Sequence, residues 1–102
     1  MNEIKYQQLG SDLIDSTLIK YGLHSAYIRI NSSFKVGMTK DSWVVMTNLG
    51  ITIPTPFYYT IHATNGVQIN VQVLQNGDVQ MYPRTGNVNI GDYVVATLPL
   101  LI

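Results

Sequence analysis

The residue types that could carry enzymatic chemistry are few and scattered in this sequence. The chain holds two histidines, His24 and His62, six acidic residues and no cysteine. Nucleophilic catalysis needs a nucleophile and a base that a third group orients, but these residues fall in different predicted elements. Asp12 and Asp15 are close in sequence, yet their surroundings are typical of a solvated loop. The sequence therefore predicts no catalytic residue, no metal site and no cofactor.

Aromatic and polar side chains offer a different chemistry, which is the binding of a saccharide. A saccharide site combines an aromatic face, against which C–H groups pack, with hydrogen bonds from Asn, Asp, Arg or His. Seven tyrosines and one tryptophan supply such faces. The candidate ligand-binding residues are Trp43, Tyr58, His62, Tyr82, Arg84 and Asp92.

Several of these candidates also have a role that needs no ligand. Trp43 leads into an apolar strand, which favours a place in the core or in a subunit interface. Tyr58 and His62 share a strand face that points away from the core, so solvent or a subunit interface would explain them equally. Tyr82 and Arg84 mark the end of a hairpin, where residues often bind ligands but need not.

The elements that must position these residues are short strands, because apolar and polar residues alternate along most of the chain. Such strands, spaced by roughly 10–15 residues, indicate a small antiparallel β-sandwich or barrel of a jelly-roll-like kind. The predicted strands lie in 16–21, 25–38 (a hairpin), 42–50, 56–64, 67–83 (a second hairpin) and 92–99. Residues 13–102 are predicted to form one domain, and residues 1–12 to be a linker or the remnant of a stem.

The first hairpin is predicted from the alternation in SAYIRINSSFKVGM. Pairing Ile30 with Phe34 across the loop 31–33 places Ile28 opposite Val36. All four apolar side chains would then share one face.

The second hairpin, VQINVQVLQNGDVQMYP, poses a question of register. An Asn-Gly pair is typical of a two-residue turn, but that turn would pair Val73 with Gln80 and mix the two faces. A three-residue loop over 75–77 pairs Val73 with Val79 and leaves one face uniformly apolar. Since register follows the face that must be buried, we expect this longer loop, with Gly77 in the left-handed region as a bulge.

The other face of that hairpin carries amides. Asn70, Gln72 and Gln80 can form hydrogen bonds across an interface without burying charge, so they are candidate subunit-interface residues. A saccharide is less expected there, because Tyr82 is the only aromatic side chain that the hairpin itself provides. Arg29 is a further interface candidate, since it points outward and could pair with an aspartate, Asp41 or Asp92, of a second subunit.

The composition agrees with self-association. The formal net charge is zero and charged residues make up only 12% of the chain, and a neutral, charge-poor surface tends to associate. No basic stripe exists that would follow a phosphate backbone, so nucleic acid is not expected as a partner. No apolar run approaches the length of about 18 residues that a spanning helix needs, so membrane insertion is not expected.

The order of these segments is similar to that of a known family. Residues 16–102 resemble the C-terminal head domain of phage tail-fibre and baseplate receptor-binding proteins. The resemblance rests on the succession TLIKYG, YIRINSSFKVGM, WVVMTNLGITIPTPFYYTIHAT, VQINVQVLQNGDVQMYP and DYVVATLP. The segment TNLGITIP, residues 47–54, departs from the tighter Leu-Pro turn of many relatives.

The resemblance implies a homotrimeric β-sandwich at the tail tip or fibre of a virion. Its function would be non-enzymatic adhesion to the host cell surface, often to a saccharide, beside other tail or baseplate proteins. Two alternatives remain open from the residues themselves. One is a structural connector within the virion, and the other is a monomeric carbohydrate-binding module of a bacterial protein.

Overall fold

The computed structural model describes residues 3–102, which form eight antiparallel strands in two sheets. The strands are β1 (Lys5–Leu9), β2 (Ser16–Lys20), β3 (Ser25–Ser33), β4 (Val44–Asn48), β5 (Phe57–His62), β6 (Gln68–Val73), β7 (Asp78–Pro83) and β8 (Tyr93–Leu101). The first sheet has the order β1-β2-β3-β8 and the second the order β4-β7-β6-β5. The predicted all-β sandwich is therefore confirmed.

The connections between strands follow a simple pattern. In each sheet three consecutive strands form a meander, β1-β2-β3 in the first and β5-β6-β7 in the second. β8 then joins the first sheet beside β3, and β4 joins the second beside β7. The second sheet is thus one Greek key, whereas a jelly roll contains two.

The core lies between the sheets because apolar residues alternate along the strands. In β3 the side chains of Ala26, Ile28 and Ile30 are fully buried, while Arg29 between them is exposed. The same alternation continues in β6, where Val71 is buried. The largest fully buried side chains are Phe34, Ile14, Leu18, Ile28, Ile30, Leu49, Ile69, Met81, Leu98, Val71, Val73 and Val79.

The β6–β7 hairpin has the predicted register. Val73 pairs with Val79 across the three-residue loop 75–77. Leu74 closes the loop, since its carbonyl accepts a hydrogen bond from the Gly77 N–H at 2.9 Å. Gly77 has φ = 93°, in the left-handed region, as a bulge of this type requires.

The hairpin predicted over 25–38 does not form. β3 continues to Ser33 and pairs along its whole length with β8, so Phe34 does not return to Ile30. Instead Phe34 enters the core beside the turn that precedes β8, and its N–H donates to the Asp92 carbonyl at 2.8 Å. Val36 is 42% exposed. The pairing of β3 with β8 extends over nine residues, so it forms more backbone pairs than the predicted hairpin would.

The N-terminal segment also differs from the expectation of a linker over 1–12. Lys5–Leu9 is the edge strand of the first sheet and pairs with β2. Leu9 is buried in the core. The residues of β1 are mostly polar and exposed, so the sequence shows no alternation of apolar residues there. Few buried positions are needed in this strand because it lies at the edge of the sheet.

Side-chain hydrogen bonds join parts of the two sheets, including one from Tyr59 and one from Thr47. The Tyr59 hydroxyl on β5 donates to the backbone oxygen of Pro99 on β8. The Thr47 hydroxyl on β4 donates to the Gly10 carbonyl at 2.8 Å. Burial raises the pKa of Tyr59 from 10.0 to about 12, since it costs the charged phenolate more solvation energy than the neutral phenol.

We expect Gly77→Val to destabilise the fold more than the same change at Gly66. Both glycines have positive φ, so each valine costs about 1–3 kcal/mol of backbone strain. A Cβ at Gly77 would also overlap the Ile51 backbone oxygen, whereas at Gly66 it meets no atom within 4 Å. Urea denaturation should show an additional loss of at least about 1 kcal/mol for Gly77→Val. Equal losses would contradict the packing described here.

We also expect the free energy of unfolding to fall between pH 10 and pH 12. In that interval the unfolded chain loses the Tyr59 proton while the folded chain retains it, so rising pH favours unfolding. Tyr59→Phe should lose about 1 kcal/mol at neutral pH with its hydrogen bond and should show a weaker pH dependence. Tyr58→Phe, on the same strand, is the control. Urea denaturation at each pH should show that its free energy of unfolding falls with pH as steeply as that of the wild type.

Candidate functional site

The outer face of the second sheet brings polar and aromatic side chains together. Because the register is antiparallel, Tyr58 of β5, Gln72 of β6 and Gln80 of β7 lie in one row across the sheet. In the neighbouring row Thr60 faces Asn70, which in turn faces Tyr82. These alternating residues point away from the core on all of these strands.

Trp43 completes this face at the far side of the sheet. It precedes β4, whose first residue pairs with Met81 of β7. Its ring packs on the ring of Tyr82, with centroids 4.9 Å apart and planes tilted by 47°. Trp43 remains 49% exposed and Tyr58 69% exposed, so both rings offer free surface.

Between the two aromatic side chains runs an open groove of about 400 Å³. We call it the amide groove. It is lined by Trp43, Tyr58, Tyr59, Thr60, Asn70, Val71 and Gln72. The Gln72 amide donates a hydrogen bond to the Gln80 side-chain oxygen, which orients the row of glutamines. The amides and the Thr60 hydroxyl can both donate and accept further hydrogen bonds.

A charged corner adjoins the groove beside Trp43. The Tyr82 hydroxyl donates to Asp41 Oδ1 at 3.0 Å. This hydrogen bond to Asp41 raises the pKa of Tyr82, aided by desolvation and by the aspartate charge, while the nearby Arg84 guanidinium lowers it. Asp41 has φ = 63°, and its N–H donates to the Pro83 carbonyl at 2.9 Å, which fixes the turn against the end of β7.

The predicted ligand-binding residues do not all meet at one place. Trp43 and Tyr58 line the amide groove, and Tyr82 and Arg84 form the charged corner. His62 lies at the other end of β5, in a separate cavity lined also by residues 95–98 of β8.

Asp92 serves the turn before β8 rather than the groove. Its Oδ2 accepts hydrogen bonds from the Asn65 side-chain amide at 2.7 Å and from the Asn89 N–H at 2.8 Å. These contacts account for the residue without a ligand.

Trp43 was expected in the core or in a subunit interface; its exposure excludes the core of one subunit, and the interface stays a prediction. The apolar run after it is not uniformly buried, because Val45 points outward and is 56% exposed. A bulge between Val45 and Thr47 then places both Met46 and Thr47 inside. An irregular strand of this kind cannot be read from alternation alone.

The candidate interface residues fall on two different surfaces. Asn70, Gln72 and Gln80 share the outer face of the second sheet, where the first two line the amide groove. Arg29 lies on the outer face of the first sheet, opposite Thr17 and Thr97. Its pairing with an aspartate of another subunit stays a prediction.

Sequence reasoning missed two features of the site. Aromatic platforms flank the amides on both sides, because β5 and β4 lie on the two sides of the β6–β7 hairpin. The hydrogen bond from Tyr82 to Asp41 was also not predicted. The alternation of β5 indicated that Tyr58 points outward, but no local pattern indicated which strands would be neighbours.

Within residues 3–102, no three His, Cys, Asp or Glu side chains form a group that could hold a metal ion. The same residues contain no helix long and apolar enough to cross a membrane. No protein-family model matches the chain, and a search of curated proteins finds no significant match.

We expect Asp41→Asn to lower the pKa of Tyr82. The substitution removes the aspartate charge and weakens the hydrogen bond that favours the neutral phenol, while asparagine tolerates the positive φ of this turn. NMR titration of the tyrosine rings measures the shift. Asp12→Asn, at an exposed loop position, is the control and should leave the Tyr82 titration unchanged; an unchanged titration in Asp41→Asn would contradict the contact.

Proposed function

We propose that this chain is the head domain of a phage tail-fibre or baseplate receptor-binding protein. In this proposal it assembles as a homotrimer at the tip of the virion and adheres, without catalysis, to a saccharide of the host cell surface. The observation that carries the proposal is the amide groove, in which two exposed aromatic side chains stand on either side of uncharged hydrogen-bonding groups.

The groove suits a neutral sugar for chemical reasons. A pyranose ring presents C–H groups on its faces, which pack on the rings of Trp43 or Tyr58. Its hydroxyls both donate and accept, as do the side chains of Thr60, Asn70 and Gln72. Since these lining residues carry no formal charge, binding a neutral sugar there leaves no buried charge without a partner.

The fold supplies the aromatic side chains that the hairpin alone lacks for binding a saccharide on this face. Besides Tyr82, Trp43 and Tyr58 flank the amides. The shape of the site also fits adhesion, because an open groove gives only a few contacts per subunit. Several copies in one particle would compensate through multivalent binding, which raises avidity without new contacts.

The two alternative functions differ in measurable ways. A monomeric carbohydrate-binding module would use the same groove but would have a molar mass near 11.4 kDa in solution. A virion connector would be oligomeric but would bind neither cells nor glycans.

The test is binding of the oligomer to intact host cells and to a glycan array. Trp43→Ala and Tyr58→Ala should each weaken saccharide binding at least about tenfold, which corresponds to about 1.4 kcal/mol. Arg84→Ala, at the adjoining corner, should have a smaller effect, and His62→Ala should have none if the groove is the site. Calorimetric titration with a glycan selected from the array supplies the affinities.

The control is Tyr93→Ala, which removes a tyrosine from the outer face of the first sheet, on the opposite face of the sandwich from the groove. It should bind like the wild type. If Trp43→Ala and Tyr58→Ala also bind like the wild type while remaining folded, the amide groove is not the saccharide site. If the wild type binds no cell and no glycan, the adhesive function is wrong.

A further inference from the structure

The outer face of the first sheet carries an apolar cluster at one end. Tyr6 on β1 pairs with Ile19 on β2, which pairs with Tyr27 on β3, and Tyr27 pairs with Pro99 on β8. This row crosses all four strands. We call the cluster the apolar strip and define it as Ile4, Tyr6, Ile19, Tyr21, Leu23, Tyr27, Pro99 and Leu101.

Two tyrosine side chains of the strip pack on one another. The rings of Tyr21 and Tyr27 lie with their centroids 5.7 Å apart. Ile19, although it points outward, is only 7% exposed, because the neighbouring strands and their large side chains surround it. The paired row and this ring contact therefore form a continuous surface across the four strands, and Ile4, Leu23 and Leu101 lie at the same end of the sheet.

The strip is also large for a surface that meets only water. Tyr6 is 71% exposed, Leu23 75% and Ile4 56%, and Leu101 and Tyr21 are about half exposed. With areas of roughly 150–250 Å² for large side chains, the strip exposes on the order of 700 Å². The largest apolar patch of a typical monomer is about 300–600 Å², while each partner of a standard interface buries about 800 Å².

Polar residues border the strip on the side that faces the middle of the sheet. The next row across the sheet is Gln8, Thr17, Arg29 and Thr97. No residue of the strip itself carries a formal charge, and three of its members are tyrosines. An apolar, tyrosine-rich centre with a polar rim is the composition of a protein–protein interface.

We propose that the apolar strip is the surface on which a second copy of this chain docks. The exposed area of the strip is close to the area that each partner buries in a stable interface. Because the strip carries no charge, it cannot form ion pairs with a charged partner. The zero net charge of the chain also removes the general repulsion between copies. The proposal rests on the self-association included in the proposed function, and it is independent of saccharide binding.

This assignment moves the subunit contact away from the amides of the second sheet. Asn70, Gln72 and Gln80 then remain free for the groove, while Arg29 lies in the polar rim of the strip. Each sheet accordingly has a separate use for its outer face.

The test compares molar masses by light scattering or sedimentation over a wide range of protein concentrations. Wild type should have a multiple of 11.4 kDa. The double variant Tyr6→Glu/Leu23→Glu should be a folded monomer, with self-association weakened at least about a hundredfold, because two carboxylates would be buried without partners in an apolar contact. Both side chains are mostly exposed, so the monomer should keep its circular dichroism spectrum and a cooperative thermal transition, at a midpoint lower than that of the wild type because it lacks the stabilisation by association.

Two control variants test the location of the contact. Ile90→Glu replaces an apolar residue that is 73% exposed in the turn before β8, and it should keep the wild-type mass. Val45→Glu places the charge on the outer face of the second sheet and should also keep it. The proposal is overturned if wild type is a monomer, if the double variant keeps the wild-type mass, or if Val45→Glu alone dissociates the oligomer.

These outcomes are separable from failure of the proposed function. The monomeric double variant should bind a single glycan in calorimetric titration with the wild-type affinity per site. An oligomer that dissociates as expected but binds no glycan would leave the strip in place and refute the saccharide groove. A monomeric wild type that binds glycan would refute the strip as a contact between copies and leave the saccharide groove in place.

Discussion

Every second residue along the inner strands packs into the space between two sheets, and this burial constrains everything else in the molecule. A chain of this size has one modest core, so each sheet must contribute one whole face to it. The side-chain period of two then fixes which residues point outward. Val73 pairs with Val79 for this reason, and Asn70 and Gln72 face outward for the same reason.

The outward residues form two surfaces of different chemistry. The second sheet presents amides and hydroxyls between Trp43 and Tyr58, whereas the first sheet presents an uncharged cluster around Tyr6 and Tyr27. A neutral polar groove suits a ligand rich in hydroxyls, and an apolar strip suits another protein surface. The two proposals therefore use opposite sides of the sandwich, so that ligand binding and self-association do not compete for the same residues.

The low number of charged residues takes on a more precise meaning in this arrangement. From composition alone, 12% charged residues indicated only that some uncharged surface should be covered by other copies. The amide-rich hairpin was the first candidate for that surface. The fold instead offers the strip at the end of the first sheet, which is more apolar than the amide face and larger than a typical monomer exposes. The sequence of the β6–β7 hairpin does not indicate which strands lie beside it in the sheet.

The sequence by itself determined the strand class, the register of the β6–β7 hairpin, the left-handed Gly77 and the outward direction of Tyr58, because each depends on residues within one strand or one tight turn. Tertiary structure decided which strands are neighbours. It paired β3 with β8 instead of folding it back on Phe34, added β1 as an edge strand, and placed Trp43 beside Tyr82. These contacts join residues distant in the chain, and their energies come from burial in a shared core, which no local alternation of residues encodes.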